Sequence, residues 1–173
     1  GELLPLPEEG KLLVGTRYST QSAVYDSTTG EKRETVDFMK GQAKVPYTVQ
    51  RALRRDGRRL FVGYWLPGED EQAVYVGLPN NEKLHVLPHE QSIYCVAVSP
   101  DGRMLVTGFG VWNAEKSEHA AQAFLWDAET GIQVHTLVPM RKGVIGAAAF
   151  TPDSRLVAIG SGWDDDSTIS LWD

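Results

Sequence analysis

The sequence has a single cysteine among its 173 residues, Cys95. A disulfide needs two thiols, so the disulfide framework that many small secreted domains use is excluded within this chain. Cys95 stands inside the apolar run SIYCVAV, which predicts a buried and inert thiol. The longest apolar run, GVIGAAAF from Gly143, is far shorter than the roughly 20 residues that cross a membrane as a helix. We therefore expect a soluble, cytoplasmic protein with no membrane partner.

Positive charge is also scarce. Lys and Arg number 17 against 23 Asp and Glu, which leaves a formal net charge of -6. Binding to a nucleic-acid backbone needs clustered Lys and Arg, so we expect no nucleic-acid partner. The one dense basic run, RALRRDGRR from Arg51 to Arg59, is interpreted as a solvent-exposed strand and turn.

Motifs for metal binding, phosphate binding and nucleophilic catalysis fall short of what their chemistry needs. HEQSI places Ile93 where a zinc site needs a second histidine, one helical turn after His89. GFGVWN lacks the third glycine of a dinucleotide loop, and the DDD run ending at Asp166 lacks the spaced ligands of a calcium loop. No histidine is placed to activate Ser161. The sequence thus predicts no catalytic residue, no cofactor and no metal site, and no enzyme in this chain.

What the sequence does contain is an internal repeat. The stretches LPEEGKLLVG, RRDGRRLFVG, SPDGRMLVTG and TPDSRLVAIG end at Gly15, Gly63, Gly108 and Gly160, so successive closing glycines are 48, 45 and 52 residues apart. A second marker, read in AVYD, AVYV, FLWD and SLWD, recurs after 50, 51 and 46 residues. Two independent markers with similar spacing indicate one structural unit of roughly 45 to 52 residues, repeated about three and a half times.

Each unit is predicted to hold four short β-strands. In the third unit SIYCVAVS, RMLVTG, AFLWD and IQVHTLV are apolar or alternate between apolar and polar residues, with Pro-Asp-Gly and Glu-Thr-Gly among the turns. Four antiparallel strands per unit without helices are typical of propeller blades. In the second unit Val45, Val49 and Leu53 are spaced four apart, which leaves an amphipathic helix as the alternative to a strand. The strand is favoured because this segment aligns with SIYCVAVSPDG.

HEQSIYCVAVSPDGRMLVTG followed by FLWDAETG, and AAAFTPDSRLVAIGSGWDDDSTISLWD, resemble WD40 repeats. The third and fourth units match the family pattern well, whereas the first two have Tyr-Asp and Tyr-Val where Trp-Asp is expected. The resemblance implies an all-β fold, a β-propeller of about four four-stranded blades that is incomplete at one or both ends. The blades are expected to span residues 1–42, 43–90, 91–142 and 143–173 of a single domain.

The resemblance also implies a structural hydrogen-bond network in each blade, made by a His, a Ser or Thr, the Trp and an Asp. His89, Thr107 and Trp126 take these positions in the third unit, although no Asp matches clearly. Asp166 and Trp172 take them in the fourth unit, where the His is missing. A buried indole N–H needs an acceptor, so we interpret these residues as architectural and not catalytic.

Two arrangements are open for the ends of the repeat array. The opening GELLPL aligns with GIQVHTL, so Glu2 to Leu6 could form the outer strand of the last blade and close a ring. Alternatively, the chain is about half of a larger propeller, completed by the remainder of a longer chain or by a second copy in a homodimer. We favour the second arrangement, because closed four-blade rings of this repeat type are unusual and blades need neighbours to bury their faces.

Large aromatic residues follow the glycine that ends the second strand of every unit. They are Tyr18, Tyr64, Trp65, Phe109, Trp112 and Trp163. The resemblance implies that these loops gather on the face where WD40 partners usually dock, and aromatic rings dominate interface energies. We therefore predict a protein-binding surface at these six residues, with packing against adjacent blades as the alternative. The longest of these loops is FGVWNAEKSEHAAQ, and long loops often carry binding.

The functional hypothesis is a non-enzymatic scaffold or protein-protein interaction module, part of a larger multidomain or regulatory protein, whose partner is a protein or peptide. An alternative from another class is a propeller that gates or accompanies a fused enzyme such as a hydrolase. A purely structural spacer is the third hypothesis, and burial of the tryptophans within the blades would favour it.

Overall fold

The computed structural model describes residues 2–6, 10–16, 19, 21–37, 48–57, 59–65, 74–76, 85–89, 93–113, 118–137, 143–162 and 167–173. Only the backbone is described at strand positions 2, 48, 49, 64, 65, 74–76, 111–113, 118 and 119. Every helix or strand found among these residues is a β-strand. The expected all-β class is confirmed.

The strands form four antiparallel sheets, and in each sheet the strands pair in chain order. The first sheet comprises β1 Glu2–Pro5, β2 Lys11–Gly15, β3 Gln21–Asp26 and β4 Lys32–Asp37. The second comprises β5 Thr48–Leu53, β6 Leu60–Trp65 and β7 Val74–Val76. The third comprises β8 Ile93–Val98, β9 Met104–Asn113, β10 Glu118–Asp127 and β11 Gln133–Leu137. The fourth comprises β12 Val144–Phe150, β13 Val157–Gly162 and β14 Thr168–Trp172. We call these sheets the first to fourth blades; the exact blade boundaries stay a prediction.

β5 decides between helix and strand in the second blade. It pairs with β6 along its whole length, with Arg51 opposite Val62 and Ala52 opposite Phe61. The Arg51 guanidinium donates a hydrogen bond to the backbone of the first blade. Ala52 packs with a core cluster that includes Ile93 of the third blade. Adjacent residues that contact opposite neighbours require the two-residue period of a strand. The helix alternative is therefore wrong.

β1 belongs to the first blade. Leu3 pairs with Val14 of β2, and the Leu6 N–H donates to the Lys11 carbonyl at 3.0 Å. The predicted alternative in which Glu2 to Leu6 closes a ring as the outer strand of the last blade is wrong. The physical reason is locality, since a short hairpin loses less chain entropy than pairing across the whole molecule.

Side-chain hydrogen bonds build the Ser-Pro-Asp-Gly turn that joins β8 to β9. Ser99 Oγ donates to Asp101 Oδ1 at 2.6 Å and accepts from the Met104 N–H at 2.9 Å. Gly102 takes the left-handed conformation that closes the turn, with a φ of 74°. The fourth blade repeats the turn with Ser154 in that conformation, at a φ of 62°. The motif recurs in the sequence because each hairpin needs this closure.

Successive blades pack face to face, and three apolar clusters lie between them. The first and second blades meet through Leu13, Val24, Leu60 and Val62. The second and third meet through a cluster that includes Ala52, Phe61, Ile93, Leu105 and Trp126. The third and fourth meet through a cluster that includes Cys95, Val106, Ala123, Ile145 and Ile159.

The ends of the array are open in the described part of the molecule. Extensive contacts join only consecutive blades there, and no strand of β1–β4 makes an extensive contact with β12–β14. The architecture is that of a partial propeller, which confirms the predicted fold class. Cys95 lies in the cluster between the third and fourth blades, and its burial raises the pKa of the thiol to about 12.

The basic run from Arg51 to Arg59 is less solvent-exposed than predicted. Arg51 is buried and donates to two backbone carbonyls of the first blade. Arg54 and Arg59 both pair with Glu129, in the turn between β10 and β11. The long guanidinium side chains reach polar groups of adjacent blades, so the run connects three blades.

Candidate binding surface and the buried network of the third blade

A buried hydrogen-bond network links three of the five predicted network residues. Trp126 on β10 donates its indole N–H to Thr107 Oγ1 on β9 at 2.9 Å, and His89 Nε2 lies 2.8 Å from the same oxygen. His89 Nδ1 lies 2.9 Å from the carbonyl oxygen of Leu87. A carbonyl only accepts, so Nδ1 carries a proton and donates it to Leu87. One continuous chain of hydrogen bonds therefore joins Trp126, Thr107 and His89 to the backbone.

Aromatic rings enclose this network. The ring centroids of His89 and Trp126 are 5.2 Å apart, and those of Phe109 and Phe124 are 4.8 Å apart in an edge-to-face arrangement. Thr107 is 0% exposed, and His89 and Trp126 are buried with it. A histidine sealed in this way stabilises the blade, so the geometry supports the architectural interpretation.

The fourth blade differs from the third at this place. The Trp172 Nε1 atom is buried and has no hydrogen-bond partner among the residues that the structure describes. In the third blade Thr107 stands one residue before the closing glycine, Gly108. The matching residue of the fourth blade is Ile159, which is fully buried and whose side chain offers no hydrogen-bond acceptor. The predicted network residue Asp166 lies outside the described residues. Within the described part, this blade thus lacks the hydroxyl that Thr107 supplies to Trp126.

Among the six predicted binding aromatics, Phe109 requires a correction. It is 2% exposed and packs against His89 and Phe124. Residues two apart share a face of a strand, and Phe109 lies on the face of β9 that also carries Leu105 and Thr107 into the core. Its ring is therefore a core ring and not part of an exposed surface. For Tyr64, Trp65 and Trp112 the structure describes only the backbone, in β6 and β9, and Tyr18 and Trp163 lie outside the described residues.

The third blade carries a hairpin that extends beyond the sheet core. β9 and β10 are ten residues each, and their pairing continues five residues past Gly108, with Trp112 opposite His119. By contrast, β6 and β13 each end two residues past their closing glycines. The stretch expected to be a long loop is thus mostly paired strand, because β-forming residues such as Val111 and Trp112 continue the ladder. We call the paired residues 109–113 and 118–122 the extended hairpin.

Hydrogen bonds, more than ion pairs, lower the pKa values of the aspartates in the turns. The Ser99 hydroxyl is the main cause that lowers the pKa of Asp101, and the N–H and hydroxyl of Thr130 lower the pKa of Asp127. These carboxylates close turns. No group of three or more His, Cys, Asp or Glu residues in the described ranges is placed to hold a metal ion.

The sequence interpretation missed the contacts between blades. Gly63 and Gly108 leave room for side chains of the following blade, and Arg51 lies over Gly15. A signal was present, because a glycine inside a strand often marks the close approach of another segment.

Part of the sequence matches a known protein-family model. The protein-family model described as WD domain, G-beta repeat, matches residues 81–113 and 131–173. No curated protein matches the chain. None of the described residues belongs to a helix long and apolar enough to cross a membrane. The matched segments contain the Ser-Pro-Asp-Gly turn of the third blade and the whole fourth blade, and the sheets have the antiparallel order of propeller blades. Residues 81–113 and 131–173 are therefore similar to WD40 repeats, and together with the order of the strands they support a WD40-repeat family.

Proposed function

We propose that this chain is a non-enzymatic interaction module that binds a protein or peptide at the end of the blades where the second strands finish. WD40 repeats generally form interaction or scaffold modules. The observation that carries the proposal is the extended hairpin, whose paired strands hold Trp112 at a defined place opposite His119. A paired hairpin is preorganised, so binding to it loses less conformational entropy than the ordering of a free loop.

The surface we propose consists of the predicted aromatics other than Phe109. They are Tyr18, Tyr64, Trp65, Trp112 and Trp163. Aromatic anchors bury a large area with few rotatable bonds, and a few of them supply most of the binding energy of an interface.

Charge and thiol chemistry support the class of partner and the compartment. The net charge is -6, and Arg54 and Arg59 are already paired with Glu129, which favours a protein or peptide partner over nucleic acid. The cytoplasm, which keeps thiols reduced, is the location we propose, because Cys95 is a free thiol.

Peptides selected by phage display against the folded 173-residue chain provide the test. Their affinity is measured by calorimetry for the original chain and for a triple variant, Trp65→Ser, Trp112→Ser and Trp163→Ser. We expect the triple variant to lose about 100-fold or more in affinity, because truncating a binding anchor costs about 2 kcal/mol or more. Its thermal midpoint is expected to change little.

The matched control removes apolar surface elsewhere. Ile132 and Val134 are exposed beside and on β11, the outermost strand of the third blade, and Ile132→Ser with Val134→Ser should bind as the original chain does. Peptides that bind the triple variant unchanged would contradict the proposal. A large loss of thermal stability in the triple variant would contradict it as well, since the tryptophans would then be core residues.

A further inference from the structure

One packing rule recurs between successive blades. The closing glycine of one blade lies beneath a side chain from the first strand of the next blade. A Cβ at Gly108 would stand 2.3 Å from Ile145 Cγ2, and one at Gly63 would stand 2.7 Å from Ile93 Cγ2. Such distances are too short for real Cβ atoms, so each glycine forms a socket that the incoming side chain fills.

The interface between the first and second blades follows the rule with an arginine. A Cβ at Gly15 would stand 2.7 Å from Arg51 Cζ. Val96 of the third blade also covers a socket, with its Cγ2 2.8 Å from the Cβ position of Gly63. Arg51 and Val96 hold the same place in their blades, opposite the residue that precedes the closing glycine.

Leu3 holds that place in the first blade. It pairs with Val14, the residue before Gly15. Leu3 is 65% exposed, whereas Arg51 at the matching place is buried. The first blade thus presents the kind of side chain that fills a socket, with no blade beneath it in the described part of the chain.

The fourth blade presents the complementary socket. Around the Cβ position of Gly160, the nearest described heavy atom beyond its chain neighbours is Ala147 Cβ, at 3.6 Å. An open groove of about 620 Å³ lies here, lined by residues that include Val144, Gly146, Ala147, Gly160, Ser161 and Ile169. Ile169 is 80% exposed and Leu171, two residues along the same face of β14, is 68% exposed. Exposed aliphatic side chains around an unfilled groove mark a contact surface.

We propose that the fourth blade of one copy of this chain binds the first blade of a second copy head to tail, with Leu3 of the second copy over Gly160 of the first. The contact would continue the interfaces already present within the chain, where a side chain of one blade covers the closing glycine of the preceding blade. Socket and side chain lie at opposite ends of one array, so two copies are complementary. A head-to-tail contact closes into a ring when its rotation allows, and we expect closure at two copies. This inference does not depend on the extended hairpin or on the proposed peptide surface.

Cysteine cross-linking between two different variants tests the contact. Leu3→Cys chains are mixed with Gly160→Cys chains under mild oxidation, and we expect a disulfide-linked pair that neither variant forms alone. The native Cys95 does not compete, because it is buried and its thiol pKa is raised. Mass spectrometry of the linked peptides identifies the two residues. A mixture that stays unlinked would overturn the proposal.

A chain carrying both substitutions distinguishes the second copy from ring closure within one chain. A linked monomer would show that Leu3 reaches Gly160 of its own chain, and it would overturn the proposal. Linked dimers would support it.

Sedimentation measures the association without cross-linking. We expect the original chain to be dimeric and Gly160→Val to raise the dimer dissociation constant by about tenfold or more, since the valine fills the socket. The fold should persist, because a Cβ at this position meets only an ordinary contact with Ala147. Val134→Lys, on the exposed outer strand of the third blade, is the control and should leave the dimer intact. A monomeric original chain would exclude the second copy and leave a further blade of a longer protein as the occupant of the groove.

Discussion

Ile145 of the fourth blade lies directly over Gly108 of the third, with its Cγ2 atom 2.3 Å from the point where a Cβ at residue 108 would stand. Ile145 is fully buried, and the Sγ atom of Cys95 lies 2.6 Å from the same point. The two sheets can approach this closely only because residue 108 has no side chain.

Gly108→Ala is therefore expected to lower the free energy of unfolding by about 1–3 kcal/mol, because the added methyl forces the two blades apart. Gly160→Ala is the matched control at the same place in the fourth blade, and its effect should stay within about 0.5 kcal/mol. Urea denaturation at a concentration low enough to keep the chain monomeric measures both. Equal losses in the two variants would contradict the socket interpretation.

Thr107→Val tests the buried network at nearly constant volume. The substitution leaves the Trp126 indole N–H and the His89 Nε2 without the shared hydroxyl, and unsatisfied buried polar groups cost about 1–3 kcal/mol. We expect a loss of this size in the free energy of unfolding, measured by chemical denaturation. A neutral result would mean that the network contributes nothing to the stability of the blade.

Ile159 offers the converse experiment in the fourth blade. Ile159→Val should cost about 0.5–1.5 kcal/mol for the lost methylene. Threonine has almost the same shape as valine and adds a hydroxyl that can accept the Trp172 N–H. We therefore expect the Ile159→Thr variant to be at least as stable as the Ile159→Val variant. The opposite order, which is the usual one for a hydroxyl buried in an apolar core, would show that Trp172 finds its acceptor elsewhere.

Ser154 combines backbone strain with a contact between blades. Its φ of 62° disfavours any residue with a Cβ, while its Oγ accepts from the Asp101 N–H at 3.1 Å. Ser154→Gly loses this hydrogen bond but relieves the strain, whereas Ser154→Ala loses the bond and keeps the strain. We expect the glycine variant to be more stable than the alanine variant by about 1 kcal/mol in thermal unfolding. Equal midpoints would mean that the turn stores no strain.

Acid should destabilise the molecule through its turn carboxylates. The pKa of Asp101 is lower in the folded chain than its ordinary value, so its contribution is present above about pH 4 and is lost as the pH falls towards the folded-state pKa. Asp101→Asn keeps an acceptor oxygen but cannot titrate. We expect its free energy of unfolding to fall less between pH 5 and pH 2 than that of the original chain, measured by denaturation across this range. Parallel pH profiles would contradict the assignment.

The sequence pattern predicted turns and strands best where they depend on contacts between residues close together in the chain. The turn through Ser99, Asp101 and Gly102 can be recognised from its letters, because its hydrogen bonds join residues at most five apart. The pairing of Thr107 with Trp126 followed from the resemblance to WD40 repeats, which implies a hydrogen-bond network at these positions.

Other features depended on neighbours that the pattern does not name. Whether Phe109 is exposed depends on the ring of Phe124 opposite it, and whether Arg51 is solvated depends on the carbonyls of the first blade. The letters of GELLPL left the role of β1 open, because they do not show which strand will pair with it.

The sequence by itself determined that this chain is a series of antiparallel β units, because turn residues and alternating apolar residues act over a few neighbouring positions. Only the tertiary structure decided which face of each unit is covered, since that depends on side chains about 40 residues away that fill the space above a glycine, as Ile145 does above Gly108. Burial is set by whichever sheet comes to lie alongside, and no short stretch of sequence contains that information.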